Sequence, residues 1–372
     1  MTGTSLDGLD AALTRITGTG LAMTAEFVGM VNAPLPDGLR SMLRSLAAGE
    51  PHPPIEIMRA ARHLGAVHAE AVAELLSVHP EAEPDYVVAH GQTVWHAPAD
   101  RLSWQLFDPW PIVRVLGLPV CYDLRQADLI AGGEGAPITP IADWVMYRHH
   151  ADAVMNLGGI ANATWLHEEI AKVKGEDIFP CNILLDGLYR AWFDGDYDRD
   201  GVNASNGEVD IEVVGMISEA VSTRIQTSRS LGREYFDDLW IQELADSVRR
   251  KVSPEGGLIS AIGMISACGM GLVKDKGCKR VVLAGGGAKN HTLTDGLASF
   301  ATEIELCYSD DVGIPGNARE AMGFAVLGAL STDGIAVSLP QVTGANEPGA
   351  AGVWAYPDGP PGGAAGLGPA WI

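Results

Sequence analysis

The sequence predicts an α/β protein built from two domains of similar plan. At 372 residues, the chain exceeds the length at which a single hydrophobic core stops growing, so two domains are expected. Each half also repeats one order, in which an apolar run enters a glycine-bearing turn. We therefore expect domains at residues 1–145 and 146–345, followed by a Gly- and Pro-rich tail at 346–372 with irregular structure and no binding role.

The first half begins with a predicted hairpin and a long helix. Residues 9–16 and 25–31 are apolar-rich runs separated by glycines, which favours a β-hairpin with a loose turn. Apolar residues then recur at steps of three and four from residue 54 to about 78, which is the spacing of an amphipathic helix. Residues 86–89 form a short apolar run that predicts a buried strand.

The second half repeats this order. Residues 151–157 are an apolar run that enters a glycine turn, and residues 163–166 predict the next strand. Further along, we expect a helix with Asn182 as its N-cap and a final helix at residues 317–330, at or near a hinge. The uncharged residues 257–273 approach the length of a membrane span, but their serines and glycines favour a buried, closely packed helix.

Three glycine-bearing turns, each near an extended apolar run, together predict a nucleotide site. They lie at residues 3–8, 158–162 and 285–287. A polyphosphate needs backbone N–H groups close to its oxygens, and glycine permits that approach because it has no Cβ. A single such turn is weak evidence, since most glycine pairs after a strand are ordinary turns. We expect the first two turns to clamp a phosphate chain and the third to hold the nucleoside end.

Composition limits the partners of the protein. The 25 Lys and Arg residues against 47 Asp and Glu residues give a formal net charge of −22, which disfavours nucleic acids and anionic membranes. A small phosphorylated ligand is compatible with this charge, because backbone amides bind anions without net positive charge. Five cysteines without C-x-x-C spacing, and no signal-peptide pattern, lead us to expect a cytoplasmic protein. Whether it forms a homodimer stays open.

Many motifs in this sequence resemble those of the anhydro-N-acetylmuramic acid kinases. The motifs occur in the same order and cover nearly the whole chain up to about Ala345. The family consists of sugar kinases of the actin, hexokinase and Hsp70 superfamily, and so many blocks in the same order argue against a chance match. The motifs are residues 1–10 (MTGTSLDGLD), 90–93 (HGQT), 123–128 (DLRQAD), 131–137 (AGGEGAP), 156–162 (NLGGIAN), 197–201 (YDRDG), 232–236 (GREYF), the triple glycine, Glu320 with Ala321, and 342–345 (VTGA).

The resemblance implies two actin-like (ribonuclease H-like) domains flanking a cleft for ATP, Mg²⁺ and an anhydro sugar. It implies a kinase that phosphorylates O6 of 1,6-anhydro-N-acetylmuramic acid while water opens the anhydro bridge at C1. The product would be N-acetylmuramic acid 6-phosphate, formed in peptidoglycan recycling. Because O6 leaves C1 and becomes the nucleophile toward the γ-phosphate, one carboxylate that takes a proton from water could start both events.

By alignment with the family's motif, that catalytic carboxylate is Asp186. On residue types alone, an ion pair with Arg190 at i and i+4 is the more favoured interpretation. The resemblance places Asp7 and Glu320 near the metal, directly or through water. It also implies a nucleotide-binding set, which consists of Gly3, Thr4, Ser5, Leu6, Asp7, Gly8, Leu9, Asp10, Gly158, Gly159, Asn162, Gly285, Gly286 and Gly287.

The sugar-binding residues implied by the resemblance are His90, Gln92, Arg125, Asp128 and Glu320. An arginine suits a carboxylate or a hydroxyl pair, and an aspartate suits hydroxyls. The residue types also allow plainer interpretations. Arg125 and Asp128 could form a surface ion pair, His90 could be structural, and Asn317-x-x-Glu320 fits a capping box.

The sequence departs from the family's pattern at two places, and each departure leads to an expectation. Phe179 and Cys181 stand where the family has glycines before the catalytic helix. If either position needs positive φ or close substrate approach, Phe would cost about 1 kcal/mol or more in strain and fill the pocket, and replacing both with Gly would raise turnover. The family also has an apolar strand before the first phosphate loop, where this sequence has Met1 and Thr2. We therefore expect the natural start to lie further upstream.

Two other functions remain open from the sequence. One is a kinase for another anhydro sugar such as levoglucosan, which turnover on the two sugars would distinguish. The other is a catalytically impaired homologue, which would bind ATP without transferring a phosphoryl group.

Overall fold

The structure, a computed structural model of the chain, describes residues 1–3, 6, 8–225, 235–347 and 349–359. The chain divides into two compact units, the first formed by Met1–Met146 with Glu320–Ile372 and the second by Tyr147–Arg319. The predicted α/β class is confirmed. The division differs from the predicted one, because residues 320–345 and the tail group with the first unit.

Strands occur in both units. Within the described residues they are β1 (Gly8–Thr17), β2 (Thr24–Pro34), β3 (Val87–Val88), β4 (Gln92–Ala97), β5 (Leu102–Leu106), β6 (Val120–Tyr122), β7 (Ala153–Leu157), β8 (Ile160–Trp165), β9 (Lys174–Pro180), β10 (Arg280–Ala284), β11 (Glu305–Tyr308) and β12 (Val353–Ala355).

Helices lie between many of these strands along the chain. Within the described residues they are α1 (Asp37–Ala47), α2 (Pro54–Val78), α3 (Trp110–Leu116), α4 (Gln126–Ile130), α5 (Thr139–Tyr147), α6 (Asn182–Trp192), α7 (Ile211–Ile225), α8 (Asp238–Arg249), α9 (Pro254–Asp275), α10 (His291–Phe300), α11 (Arg319–Thr332) and α12 (Pro340–Thr343).

The second unit is organised by a five-stranded sheet of order β11-β10-β7-β8-β9. β11, β10 and β7 are parallel, and the antiparallel strands β8 and β9 continue the sheet. All five residues of β7 are buried, as expected for a strand in the middle of a covered sheet. This mixed sheet is the plan expected for an actin-like half, and it places the ends of β7 and β10 side by side.

The apolar segment at residues 257–273 lies in α9, a helix of the second unit. By length and composition α9 could cross a membrane, but 67% of its most apolar window is buried inside the protein. It packs against α6, α7 and α10. The prediction of a buried, closely packed helix is confirmed.

The predicted hairpin and long helix of the first unit are both confirmed. β1 and β2 pair in antiparallel fashion from Gly8 opposite Pro34 to Thr17 opposite Thr24. The helix α2 runs over the predicted 25 residues. β3 is shorter than predicted and only half-buried, and it pairs in parallel with β6.

The prediction that the tail is irregular is wrong for residues 353–355. They form β12, which pairs in antiparallel fashion with β6, with Trp354 opposite Cys121 and Ala355 opposite Val120. Ala355 is 7% exposed and belongs to an apolar cluster with Val120. The prediction of irregular structure came from the high Gly and Pro content of residues 346–372. A single Val-Trp-Ala run within such a segment is nevertheless enough to form a short edge strand.

We predict that Ala355→Asp lowers the free energy of unfolding by about 2–4 kcal/mol, because it buries a carboxylate without a partner. Val353 in the same strand is 47% exposed, so Val353→Asp is the matched control and should change stability by about 0.5 kcal/mol or less. Urea unfolding of both variants checks this. Equal effects of the two substitutions would show that β12 does not pack as described.

Candidate active site

The turn between β7 and β8 holds the start of helix α6. The carbonyl oxygen of Gly158 accepts a hydrogen bond from the Asn182 N–H at 3.1 Å, and that of Gly159 accepts from Cys181 at 2.9 Å and Ile183 at 3.0 Å. These bonds use N–H groups that the first turn of a helix otherwise leaves unpaired. The position of α6 is therefore set by the backbone of the second glycine turn.

The third glycine turn packs against the same place. Gly285 follows β10 with φ of +83°, and a Cβ there would lie 2.4 Å from the Asn156 side chain. A Cβ on Gly287 would lie 2.8 Å from the Leu157 carbonyl oxygen and 2.9 Å from Asn182 Oδ1. Glycine is thus required because the loop lies directly on the end of β7. The second and third turns come together within the second unit, while a single site formed by all three turns stays a prediction.

Asn182 does not cap α6 as predicted. Cys181 occupies the N-cap position, and the first helical residue is Asn182. The Asn182 amide instead donates from Nδ2 to the Leu157 carbonyl oxygen at 3.0 Å. The reason is that the glycine carbonyls already satisfy the first N–H groups, so the side chain is free to tie α6 to β7.

Asp186 lies one turn into α6 and is half-buried. Burial raises the pKa of its carboxyl to about 6, the nearby Arg190 opposes this rise, and Asp196 adds to it. The ion pair with Arg190 favoured by residue types is not formed among the described residues, since Arg190 Nη1 donates to the Asp196 carbonyl at 3.3 Å. A carboxylate with this pKa is ionised at neutral pH and basic enough to accept a proton.

A small cavity of about 120 Å³ adjoins the third glycine turn. Its lining includes the turn itself, Lys289, Tyr308, Asp310 and Asn317. Asp310 Oδ2 accepts a hydrogen bond from the Gly316 N–H at 3.1 Å, which holds the two sides of the cavity together. Sequence reasoning missed these residues after β11. The parallel pairing of β10 and β11, whose carboxyl ends share one edge, is the signal that could have found them.

The first glycine turn is described only in part. Thr4, Ser5 and Asp7 lie outside the described residues, as do residues 232–234 of the motif at 232–236. Leu6 and Leu9 are 4% and 1% exposed and belong to an apolar cluster of the first unit. Because their side chains pack in this cluster, any nucleotide contact by Leu6 or Leu9 would have to come from the backbone. Asp10 Oδ1 accepts from Asn32 Nδ2 at 2.6 Å across the hairpin.

His90 and Arg125 contact each other in the first unit. Arg125 donates from Nε to His90 Nε2 at 3.1 Å and from Nη1 to the Gly135 carbonyl oxygen at 2.7 Å. His90 Nδ1 lies 2.9 Å from the Gly91 carbonyl oxygen, which assigns the proton to Nδ1 and leaves Nε2 as the acceptor. Burial and then the charge of Arg125 lower the pKa of His90 well below its ordinary value. The imidazole is therefore neutral and orients the arginine.

Asp128 is 2% exposed, and both its carboxylate oxygens are engaged. Oδ2 accepts from the Gly135 N–H at 2.8 Å, and Oδ1 accepts from Thr343 Oγ1 at 2.6 Å. The Glu134 N–H also donates to the Thr343 carbonyl oxygen at 2.9 Å. Asp128 is thus buried and not in a surface ion pair with Arg125, and its binding of sugar hydroxyls stays a prediction. It holds the loop whose Gly135 carbonyl in turn holds Arg125.

The other two predicted sugar-binding residues differ in exposure. Gln92 is 2% exposed, and its Oε1 has no hydrogen-bond partner within the described residues. Glu320 is exposed in the first turn of α11. Burial lowers the pKa of Arg125 to about 10, and Glu320 and Asp128 act in the opposite direction, so Glu320 lies within electrostatic reach of the arginine. Because α11 begins at Arg319, Asn317 is not the N-cap that a capping box needs.

No group of three or more His, Cys, Asp or Glu side chains that could hold a metal occurs within the described residues. Mg²⁺ is commonly held by one or two carboxylates together with water and substrate phosphates. The exposed carboxylate of Glu320 fits that kind of site. Asp7, its predicted companion, lies outside the described residues.

A protein-family model for anhydro-N-acetylmuramic acid kinase matches residues 1–357. The chain is 33% identical over 369 residues to the anhydro-N-acetylmuramic acid kinase of Salinibacter ruber (strain DSM 13855 / M31), covering 93% of this chain and 92% of that relative. It is 32% identical to the enzyme of the same name from Bordetella avium (strain 197N), covering 94% of this chain and 92% of the relative. The chain belongs to the anhydro-N-acetylmuramic acid kinase family.

Solved structures of lower similarity also align with this family member. One is the activator of the 2-hydroxyisocaproyl-CoA dehydratase from Clostridium difficile with bound ADPNP, at 13% identity and a TM-score of 0.39, covering 87% of this chain and 96% of that one. Another is a ROK family glucokinase from Streptomyces griseus with glucose and AMPPNP, at 12% identity and a TM-score of 0.36, covering 86% and 98%. At these TM-scores the likeness supports no argument about ligands.

The two departures from the kinase motif before α6 do not lie at positions of positive φ. Cys181 has φ of −111°, and neither it nor Phe179 is among the residues with positive φ. The Phe179 ring is 2% exposed in the core of the second unit and lies beside Gly269. The strain expected from positive φ is therefore not present, and the expectation that Phe179 fills a pocket is wrong, because the β9 pairing with Ala161 turns its side chain into the core.

We predict that Phe179→Ala lowers the free energy of unfolding by about 3–5 kcal/mol, since it leaves a cavity in the core. The double replacement with glycine would destabilise the kinase further and would not raise turnover. Phe179→Leu, which keeps most of the apolar volume, is the control and should cost less. Denaturant unfolding with activity measured in parallel checks this, and higher turnover of the double glycine variant would contradict it.

Proposed function

We propose that this protein uses ATP to phosphorylate O6 of 1,6-anhydro-N-acetylmuramic acid while water opens the anhydro bridge, with Asp186 as the general base. The reaction is supported by the family match over residues 1–357. The role of Asp186 is supported by its place, half-buried on a helix fixed by the second glycine turn, and by a pKa of about 6.

In the proposed reaction, Asp186 accepts a proton from a water molecule as the water oxygen bonds to C1 of the sugar. The bond between C1 and O6 breaks, and its electron pair stays on O6. O6 then bonds to the γ-phosphorus of ATP, and the bridging oxygen leaves with ADP. The product is N-acetylmuramic acid 6-phosphate, and Asp186 returns its proton to solvent.

The sugar side of this proposal rests on Arg125. Its Nε and Nη1 are held by His90 and by the Gly135 carbonyl oxygen. Its Nη2 makes no such bond within the described residues, so we assign that group to the sugar, with Gln92 and Glu320 as further contacts. His90 and Asp128 act as positioning residues, because one orients the guanidinium and the other holds the loop that binds it.

The nucleotide side rests on the glycine turns. Gly158, Gly159 and Asn162 would bind the phosphates together with residues 3–10, and Gly285 to Gly287 with the adjoining cavity would bind the nucleoside. Mg²⁺ would be held by Glu320 and Asp7, directly or through water, and would offset the negative charge of the phosphates. The backbone amides of these turns suit an anion despite the acidic composition of the protein.

The cellular setting follows from the chemistry. An ATP-dependent step needs a compartment that contains ATP, and the five cysteines are all free, which is typical of the cytoplasm. The product, a phosphorylated cell-wall sugar, fits a role in peptidoglycan recycling.

The reaction is tested by incubating the protein with ATP, Mg²⁺ and 1,6-anhydro-N-acetylmuramic acid and measuring the product mass. We predict a product heavier than the sugar by one water and one phosphoryl group, and a loss of about 10²–10⁴ in kcat for Asp186→Asn. The exposed Asp194 is the matched control, and Asp194→Asn should leave kcat unchanged. Turnover of levoglucosan without turnover of the muramic sugar would contradict the proposed substrate.

The pH dependence tests Asp186 as the base. Below its pKa of about 6 the carboxyl is protonated and cannot accept a proton, so kcat/KM should fall about tenfold per pH unit. Arg190→Gln removes a charge that lowers this pKa, and the acid limb should move to higher pH. Asp196→Asn removes a charge that raises it, and the limb should move to lower pH. Acid limbs that stay in place in both variants would exclude Asp186 as the titrating group.

A further inference from the structure

The hairpin formed by β4 and β5 has one aromatic face and one polar face. Trp95 and Trp104 lie opposite each other, and both are exposed. The next pair along the hairpin is His96 opposite Ser103, and its side chains lie on the other face because successive residues of a strand alternate. Gln105 is two positions beyond Ser103 and shares this polar face. Ser103 is buried, whereas His96 is exposed and accessible to a ligand.

The hydrogen bonds of this polar face assign the proton of the His96 ring. Gln105 donates from Nε2 to Ser103 Oγ at 2.7 Å. The serine hydroxyl is left to donate its own hydrogen, and His96 Nδ1 lies 3.0 Å from Ser103 Oγ, against 3.5 Å for the Trp95 carbonyl oxygen. Nδ1 is therefore the acceptor, which assigns the proton to Nε2. His96 Nε2 makes no hydrogen bond within the described residues, so its N–H is available to a ligand.

The hairpin is also tied to the segment that carries Arg125. Gln126, the residue after this arginine, donates from Nε2 to the Ser103 carbonyl oxygen at 2.8 Å. Burial and then the charge of Arg125 lower the pKa of His96, so the imidazole is neutral at neutral pH and lies within electrostatic reach of the guanidinium. The N–H of His96 thus lies in the same region as Arg125 Nη2, the group assigned to the sugar.

Two neighbouring N–H donors, one of them charged, suit a carboxylate, because each of its two oxygens can accept a charge-assisted hydrogen bond. Glu320 and Asp128 offset part of the charge of Arg125, so a second donor adds to the affinity for an anion. The proposed substrate carries one carboxylate, on its lactyl group. Levoglucosan has no such group.

We propose that His96 is a specificity-determining residue whose Nε2–H, together with Arg125 Nη2, binds the lactyl carboxylate of the sugar. This inference rests on the proposed function, because it concerns the same substrate. His96 thereby selects anhydro sugars that carry a carboxylate over neutral ones. Ser103 and Gln105 act as positioning residues, since their hydrogen bonds hold the imidazole in the tautomer that donates from Nε2.

The proposal is tested by calorimetric titration of the full chain with 1,6-anhydro-N-acetylmuramic acid and with the neutral 1,6-anhydro-N-acetylglucosamine, which lacks the lactyl group. We expect His96→Leu to weaken binding of the acid by about tenfold or more and binding of the neutral sugar by less than about twofold. His96→Gln keeps an N–H donor at the end of the side chain and should recover most of the affinity. His63, exposed on α2, is the matched control, and His63→Leu should change neither affinity.

Steady-state kinetics give a second readout. His96→Leu should raise KM for the acid and leave kcat within about twofold, since a contact made equally in the ground and transition states contributes only to binding. Equal weakening of both sugars by His96→Leu would indicate a structural role and overturn the proposal, as would an unchanged affinity for the acid. Failure of the proposed function is a separate outcome, the absence of a phosphorylated product, because the titration needs no phosphoryl transfer.

Discussion

The second unit depends on the contact between the backbone of Gly158 and Gly159 and the first N–H groups of α6. This contact brings the end of β7, the start of the helix and the third glycine turn to one place. Since Asp186 is one turn into that helix, its carboxylate takes its position from backbone hydrogen bonds. The proposed base is thus positioned by a helix, and burial raises its pKa to about 6.

In the first unit, the guanidinium of Arg125 is directed by a similar arrangement of buried hydrogen bonds. The chain of contacts runs from Thr343 through Asp128 and the Gly135 backbone to the arginine. Two nitrogens of the guanidinium, Nε and Nη1, are held by these contacts, which fixes its orientation. The acidic residue of the motif, Asp128, thus holds the loop that binds the arginine.

The sequence allowed prediction of elements in which the spacing of apolar residues indicates a buried face. The β1–β2 hairpin and α2 are examples. It did not allow prediction of contacts between distant segments. Thr343 and Asp128 are separated by 215 positions, and the side-chain bond of Asn182 depends on a strand that ends 25 residues earlier. Asp186 was found by its family motif, whereas its half-burial and raised pKa appear only once the chain is folded.

The second unit is one continuous stretch, whereas the first unit is completed by segments at both ends of the chain. During synthesis, residues 147–319 leave the ribosome before α11 and β12, which the first unit still needs. The second unit is therefore available to fold before the first unit has all of its segments. The sheet of the first unit is complete only when β12, near the end of the chain, pairs with β6.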